Sequence, residues 1–202
     1  MEQVALFPLF YLPSIEYFSE LIKHKHHITF EANEHFPKQT YRNRTSIHSP
    51  NGKLDLIIPI KKGSDVHTPI RDVKISYDFN WQRVHWQSLQ TSYRSSAYFE
   101  FYEDEIAPFY EKRWNFLFDH NEHMLHLLLR LLKIDIDYNY TEEYNKFYPE
   151  FIDFRESIHP KQSHDFVHKP YFQVFEERNG FLQNLSLVDL LFNQGNQSIQ
   201  FF

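Results

Sequence analysis

Residues 4–32 read V-A-L-F-P-L-F-Y-L-P-S-I-E-Y-F-S-E-L-I-K-H-K-H-H-I-T-F-E-A. Val4 to Phe10 is a continuous apolar run containing Pro8, the pattern of a short buried strand that ends near the proline. Pro13 and Ser14 then open a helical pattern, with Ile15, Phe18, Leu21 and Ile22 on one face. Proline is favourable in a first helical turn because its missing N–H would have had no partner there. His27 to Ala32 reads as a second strand. Strand, helix, strand over some thirty residues is the βαβ unit of a parallel sheet.

Beyond this unit, Asn51-Gly52 is a strong hairpin turn signal between Arg44–His48 and Leu54–Ile60. Lys61 to Pro69 is a polar loop, and Val73 to Ile75 a further short strand. Asn80 caps a helix whose face carries Trp81, Val84, Leu89 and Ser92. A second helix is expected from Ala97, and Pro108 restarts a third. Asp119 and Glu122 resemble a capping box for a helix from His120 to Lys133, whose leucines cover most of its circumference. Ile134 to Tyr140 alternates like a strand, Glu142 to Lys169 is the least periodic stretch, and Phe172 to Phe175 looks like a last strand. Ser186 caps a final helix that Gly195 stops. The expected fold is α/β, residues 1–202 forming a single domain. It has a mostly parallel sheet begun by the βαβ unit, an inserted hairpin and several covering helices.

Composition removes several function classes. Four glycines, at 52, 63, 180 and 195, cannot form the clustered loops that cradle phosphates in dinucleotide-binding or P-loop proteins. The absence of cysteine removes disulfides, thiolate nucleophiles and cysteine-ligated metal sites. A net charge of −6 argues against general nucleic-acid binding, although Arg42/Arg44 and Lys61/Lys62 are local basic clusters suited to a small anion. The N-terminus lacks a secretory pattern, and Met124 to Leu132, interrupted by His126 and Arg130, is too short to span a bilayer. A soluble, cytoplasmic protein with no membrane span is expected. The 21 phenylalanines and 13 tyrosines imply a thick core or a ring-lined pocket.

Seven segments in order carry a family resemblance: Y-L-P-S-I-E-Y-F (11–18), R-N-R-T-S-I (42–47), L-I-I-P-I-K-K (56–62), I-R-D-V-K-I (70–75), W-Q-R-V-H-W-Q-S-L-Q-T-S-Y (81–93), A-Y-F-E-F-Y (97–102) and Q-V-F-E-E-R-N-G-F-L-Q-N-L-S-L-V-D-L-L-F-N-Q-G (173–195). Together they resemble the WbqC-like protein family of bacterial O-antigen and polysaccharide gene clusters, over nearly the whole chain. The resemblance implies transfer of glycine or another acyl group onto an amino sugar, and carries over no catalytic residue. Where the family's first motif has tryptophan after the proline and glycine before the tyrosine, this chain has Ser14 and Glu16.

The residues themselves suggest where a site would lie. Arg42 and Arg44 flank Asn43 in a segment with no nearby acidic partner, and guanidinium forks fit phosphate or carboxylate. Alternation puts the two arginines on one face and Asn43 on the other; the bland alternative is a strand edge paired to Glu31, Glu34 or Asp55. Tyr11, Pro13 and Tyr17 lie at a strand-to-helix junction, where open α/β sheets bind ligands, or simply pack a helix start. Trp81, His85 and Tyr93 share one helix, with Tyr98 and Glu100 in the next segment. His85, or failing it Glu100, is the candidate general base, and Tyr11, Trp81 and Tyr93 the candidate stacking rings. His120, His123 and His126 lack the i, i+4 spacing of helical zinc sites, so no metal is expected, and nothing calls for a cofactor. Asp189 and Asn184 read first as capping or loop residues. The implied partner is a small-molecule substrate, a sugar nucleotide or an acyl donor. A nucleotidyltransferase-like enzyme and a non-catalytic carbohydrate-binding or assembly protein are the alternatives.

Overall fold

In the computed structural model, which describes residues 3–61, 68–162 and 166–202, the βαβ unit forms as the sequence suggests. β1 (Val4–Phe7) runs into α1 (Ile15–Lys23) and on to β2 (Ile28–Phe30), and the two strands pair in parallel with Ala5 opposite Ile28. Pro8 ends β1, since proline can offer no ladder hydrogen bond. The helix cap is Ser14, whose side chain accepts from the Tyr17 amide, so Pro13 sits just outside the helix and not in its first turn.

Two more parallel strands complete the sheet in the order β5-β2-β1-β6. β5 is Tyr138–Tyr140, shorter than the expected Ile134–Tyr140, and β6 is Phe151–Asp153. The aperiodic stretch 142–169 thus hides a strand: three residues are too few to show alternation, and β6 is placed by pairing with β1. The chain places β2 on one side of β1 and, after a connection from β5 without a helix, β6 on the other, so the strand order switches direction at β1.

The hairpin is β3 (Arg44–Ser49) with β4 (Gly52–Ile57), turned at Asn51-Gly52 with Gly52 at φ 96°. Val73–Ile75 is not a regular strand but the middle of a small three-chain ladder: Ile75 bridges Ile60, Lys74 bridges Phe116, and Ser76 N–H donates to the Pro59 carbonyl. The polar loop, Lys62 included, lies largely outside the described residues.

Helices α2 (Trp81–Tyr93), α3 (Phe99–Ile106), α4 (Pro108–Glu111) and α5 (Leu117–Leu132) follow. α5 begins three residues earlier than expected; Phe116 occupies its cap with no side-chain bond, and the Glu122 carboxylate receives the Tyr140 hydroxyl in place of a capping role. Phe172–Phe175 is irregular and leads into the single turn α6 (Glu176–Asn179), because no strand edge is there to pair it. α7 (Leu187–Gln194) is capped by Ser186 and ended by Gly195. Its buried face joins residues from β1, α1, α2 and α5 in one apolar cluster. No helix among the described residues is long and apolar enough to cross a membrane.

Candidate functional site

The carboxyl ends of the parallel strands gather most of the buried charge. Glu31 immediately follows β2, and Glu34 lies three residues further on; Arg155 lies two residues past β6, and Thr141 directly after β5. The Arg155 guanidinium donates to Glu31 (3.0 Å), to both oxygens of Asp153, and to the Asn145 carbonyl (2.9 Å). Glu31 is filled in turn by the Thr141 hydroxyl (2.7 Å) and the Asn33 amide (2.8 Å). Every donor and acceptor in this group has a partner, so it braces β2, β5 and β6 against one another. Arg155 is missed by a sequence reading because nothing local marks a lone arginine in an aperiodic stretch.

Arg42 belongs to the same end of the sheet. Its carbonyl and that of Leu9 accept from the Asn121 amide, and the Tyr41 carbonyl accepts from the Tyr11 N–H, pinning this loop to the segment just past β1. The side chain is fully buried and grips Glu34 with two bonds, Nε to Oε1 (2.9 Å) and Nη2 to Oε2 (2.7 Å). The expectation that Arg42 lacks an acidic partner is therefore corrected: Glu34 is eight residues back and is brought to it by the chain reversal after β2. Burial pushes the Glu34 carboxyl above its usual range, and the guanidinium opposes that rise.

Two donors remain. Arg42 Nη1 and Arg44 Nε are buried and have no hydrogen-bond partner among the described residues, and Arg44 makes no ion pair there. His159 feels both guanidinium groups: its pKa is lowered first by burial, with Lys161, Arg42 and Arg44 adding to the fall and Glu156 opposing it. Its Nδ1 accepts from the Lys161 N–H (3.1 Å), which leaves Nε2 protonated as a donor. Asn43 faces elsewhere, as alternation indicates: its amide donates to the Ile58 carbonyl (2.9 Å), and its own carbonyl accepts the Ile58 N–H.

A groove of about 720 Å³ opens nearby, lined by Glu16, Ser19, Ser157, Gln162, Phe166 and Lys169 among others. Burial pushes the Tyr41 hydroxyl up to about 12, with Glu16 and Asp55 adding to the rise and Arg44 opposing it; neither Arg42, Arg44 nor His159 is among the described residues that line the groove. Between groove and sheet, Leu12 adopts a left-handed backbone (φ 41°), a costly conformation for leucine. Its carbonyl receives the hydroxyls of Thr45 (2.8 Å) and Ser186 (3.0 Å), which hold it there.

The other expected site residues are placed differently. Tyr11, Trp81 and Tyr93 are completely enclosed, so none offers a ring face for stacking a sugar. Tyr17 is equally buried and donates to the Pro8 carbonyl (2.8 Å); the carbonyl of Pro13 accepts from Leu187 N–H. His85 is 4% exposed, with Nδ1 2.9 Å from the Tyr11 hydroxyl, which in turn is 3.0 Å from that of Tyr110. Burial, with neighbouring His120 adding to it, lowers the His85 pKa to about 3, so the ring is a neutral core hydrogen-bonder. Glu100 is exposed on α3, and the Tyr98 ring packs over Gly195; no hydrogen bond or ion pair among the described residues joins either to Arg42 or Arg44. His120, His123 and His126 are engaged separately, with Asn121, the Asp119 carbonyl and Tyr138. Among the described residues no group of three His, Cys, Asp or Glu side chains is set to hold a metal ion.

Asp189 is not a capping partner. It is fully buried, accepting from the hydroxyls of Tyr93 (2.7 Å) and Tyr171 (2.6 Å), and Gln173 links Tyr171 to His48. This network ties β3, α2 and α7 together. Asn184 exchanges two bonds with Glu16 from a left-handed backbone position (φ 49°), fixing the start of α1.

Comparison with known proteins matches the WbqC-like protein family model to residues 10–152, which contain the arginine pair and Glu34 but end before the 173–195 motif. An uncharacterized protein of Mycobacterium tuberculosis (strain H37Rv), Rv1507c, is 28% identical over 110 residues, covering 54% of this chain and 47% of that protein. The chain therefore spans about half the length of that relative. No solved structure matches. The chain belongs to the WbqC-like protein family.

Proposed function

We propose that this protein is a transferase of cell-surface polysaccharide assembly, acting in the cytoplasm to pass an acyl or aminoacyl group, glycine for example, onto an amino sugar. The anionic part of one substrate, a sugar-nucleotide phosphate or a donor carboxylate, is held by Arg42, Arg44 and His159. The observation that carries the reading is the pair of buried nitrogens, Arg42 Nη1 and Arg44 Nε, that have no partner among the described residues. Leaving charged donors buried and unsatisfied is costly, and an anion removes that cost. The transfer chemistry rests on what the family resemblance implies; the anion site rests on geometry. The neighbouring groove, with Phe166, Phe201 and Phe202 beside polar groups, gives the rest of the substrate a place to lie. The whole chain, 1–202, is taken as one unit, since Arg155, His159 and Asp189 beyond the matched region complete the same core and site.

His85 and Glu100 do not enter this site as placed. A proton acceptor with a pKa near 3 and no solvent access is poorly matched to deprotonating an amine.

A thermal-shift screen of sugar nucleotides, free nucleotides, bare sugars and acyl donors tests the reading. A ligand at one hundred times its Kd adds about 2.7 kcal/mol, or several degrees in Tm at this size. Stabilisation by an amino-sugar nucleotide or acyl donor, followed by mass-detected transfer between the two, is the expected result. Protection by a nucleotide alone would favour a nucleotidyltransferase-like enzyme, and protection by bare sugar alone a carbohydrate-binding protein.

A further inference from the structure

The three-chain ladder around Val73–Ser76 builds a second cleft, of about 440 Å³, lined by Lys61, Lys74, Ile75, Tyr77, Arg113, Trp114, Asn115 and Phe116. No carboxylate is among the described lining residues, in a chain whose net charge is −6. Some exposed cations pair with acids: Lys23 with Glu20, Arg94 with Glu103, Arg130 with Glu105. Lys74 and Arg113 make no ion pair among the described residues and rest instead over rings, Lys74 over Phe116 (6.0 Å) and Arg113 over Tyr77 (5.0 Å). A cation on a ring keeps its full charge and is held in place by the quadrupole beneath it.

The backbone below is stiff. Lys61 N–H donates to the Lys74 carbonyl (2.9 Å), Ile75 N–H to Asn115 (3.0 Å), and Leu117 N–H to Val73 (2.9 Å). The Tyr77 hydroxyl closes the far wall, accepting from Trp114 N–H (2.7 Å) and donating to its carbonyl (3.0 Å). Two cations, Lys74 and Arg113, are thus held over rings at one concavity of a size that holds a small molecule.

We propose that this cleft is a second anion site, distinct in its residues from the Arg42–Arg44 site, that binds a soluble phosphate-bearing small molecule through Lys74 and Arg113. A diphosphate suits it, because the two cations then face a multiply charged anion and the focusing of field in a cleft favours multivalent anions.

The test is calorimetric titration of the full chain with inorganic pyrophosphate and with a nucleoside diphosphate. The variants are Lys74→Gln/Arg113→Gln, Arg44→Ala, and the charge control Arg83→Gln/Lys53→Gln, whose positions are outside the cleft lining. The exposed positions 53, 74, 83 and 113 leave folding intact, checked by unchanged Tm. Saturable binding that weakens at least tenfold in Lys74→Gln/Arg113→Gln, and less than twofold in the charge control, supports the proposal. Equal weakening in the charge control, an effect confined to Arg44→Ala, or no saturable binding would overturn it. So would capture on phosphatidylcholine vesicles containing phosphatidic acid without binding of either free anion, which would assign the cations to a lipid surface. Because Arg44→Ala is read in parallel, failure of this cleft is distinguishable from failure of the arginine site.

Discussion

Removing the Arg42 side chain would leave the Glu34 carboxylate buried without its partner, whereas removing that of Arg44 breaks no ion pair among the described residues. Arg42→Ala is therefore expected to cost about 3–5 kcal/mol of stability in denaturant unfolding, and Arg44→Ala less than about 1 kcal/mol. The two histidines beside Tyr11 and Trp81 set the acid limit of the fold. Their pKa values fall to about 3 (His85) and about 4 (His120), so on acidification the unfolded chain takes up protons near 6.5 that the folded chain refuses. Stability contributed by these rings is full above 6.5 and lost as pH drops toward 4. Asp189 works in the opposite sense: burial lifts its pKa to about 6, so the folded state holds a proton that the unfolded state has already released. Wild type should thus gain about 2 kcal/mol relative to Asp189→Asn between pH 7 and pH 4. Parallel urea-unfolding stabilities across that range would contradict the assignment. None of this was legible in the sequence. A histidine or aspartate three or four residues from its neighbours on a helix looks the same whether it faces water or the core, and burial decides its chemistry.

Elements were legible where local chemistry defines their ends. Asn80 and Ser186 each cap the helix that the sequence assigns to them, Ser14 caps the one expected to open at Pro13, and Asn51-Gly52 makes the hairpin turn. The failures are elements made by distant pairing: β6 has three residues and no periodicity, and Val73–Ile75 became a ladder rung because its partners come from two separate segments. Gly195 illustrates an end whose requirement is tertiary as well as local. Its φ is 57°, and a Cβ there would lie 2.7 Å from the Tyr98 ring. Gly195→Ala should destabilise by roughly 1–3 kcal/mol, partly relieved when combined with Tyr98→Ala; full additivity of the two would show that the ring contact is not the cause. Lys133 is the reverse case, a non-glycine residue in the left-handed conformation (φ 57°) that ends α5. Lys133→Gly is expected to raise stability by about 0.5 kcal/mol, read as a small upward shift in the urea midpoint.

At the scale of the molecule, the strand order of the parallel sheet reverses at β1, and the charged residues collect at the strand ends where such sheets bind ligands. The βαβ start made that placement readable in outline, and it located the arginine pair near the mouth of the unit. What could not be read was which charges satisfy each other. Glu34 takes most of Arg42, and Arg155 with Glu31 and Asp153 forms a closed brace, which leaves Arg44 and one nitrogen of Arg42 as the open positions. The claim that these open donors hold a substrate anion is tested most directly by titrating an amino-sugar nucleotide into wild type and Arg44→Ala. Affinity should fall at least tenfold in Arg44→Ala with Tm of the unliganded protein changed little. Equal affinity in the two proteins would contradict it.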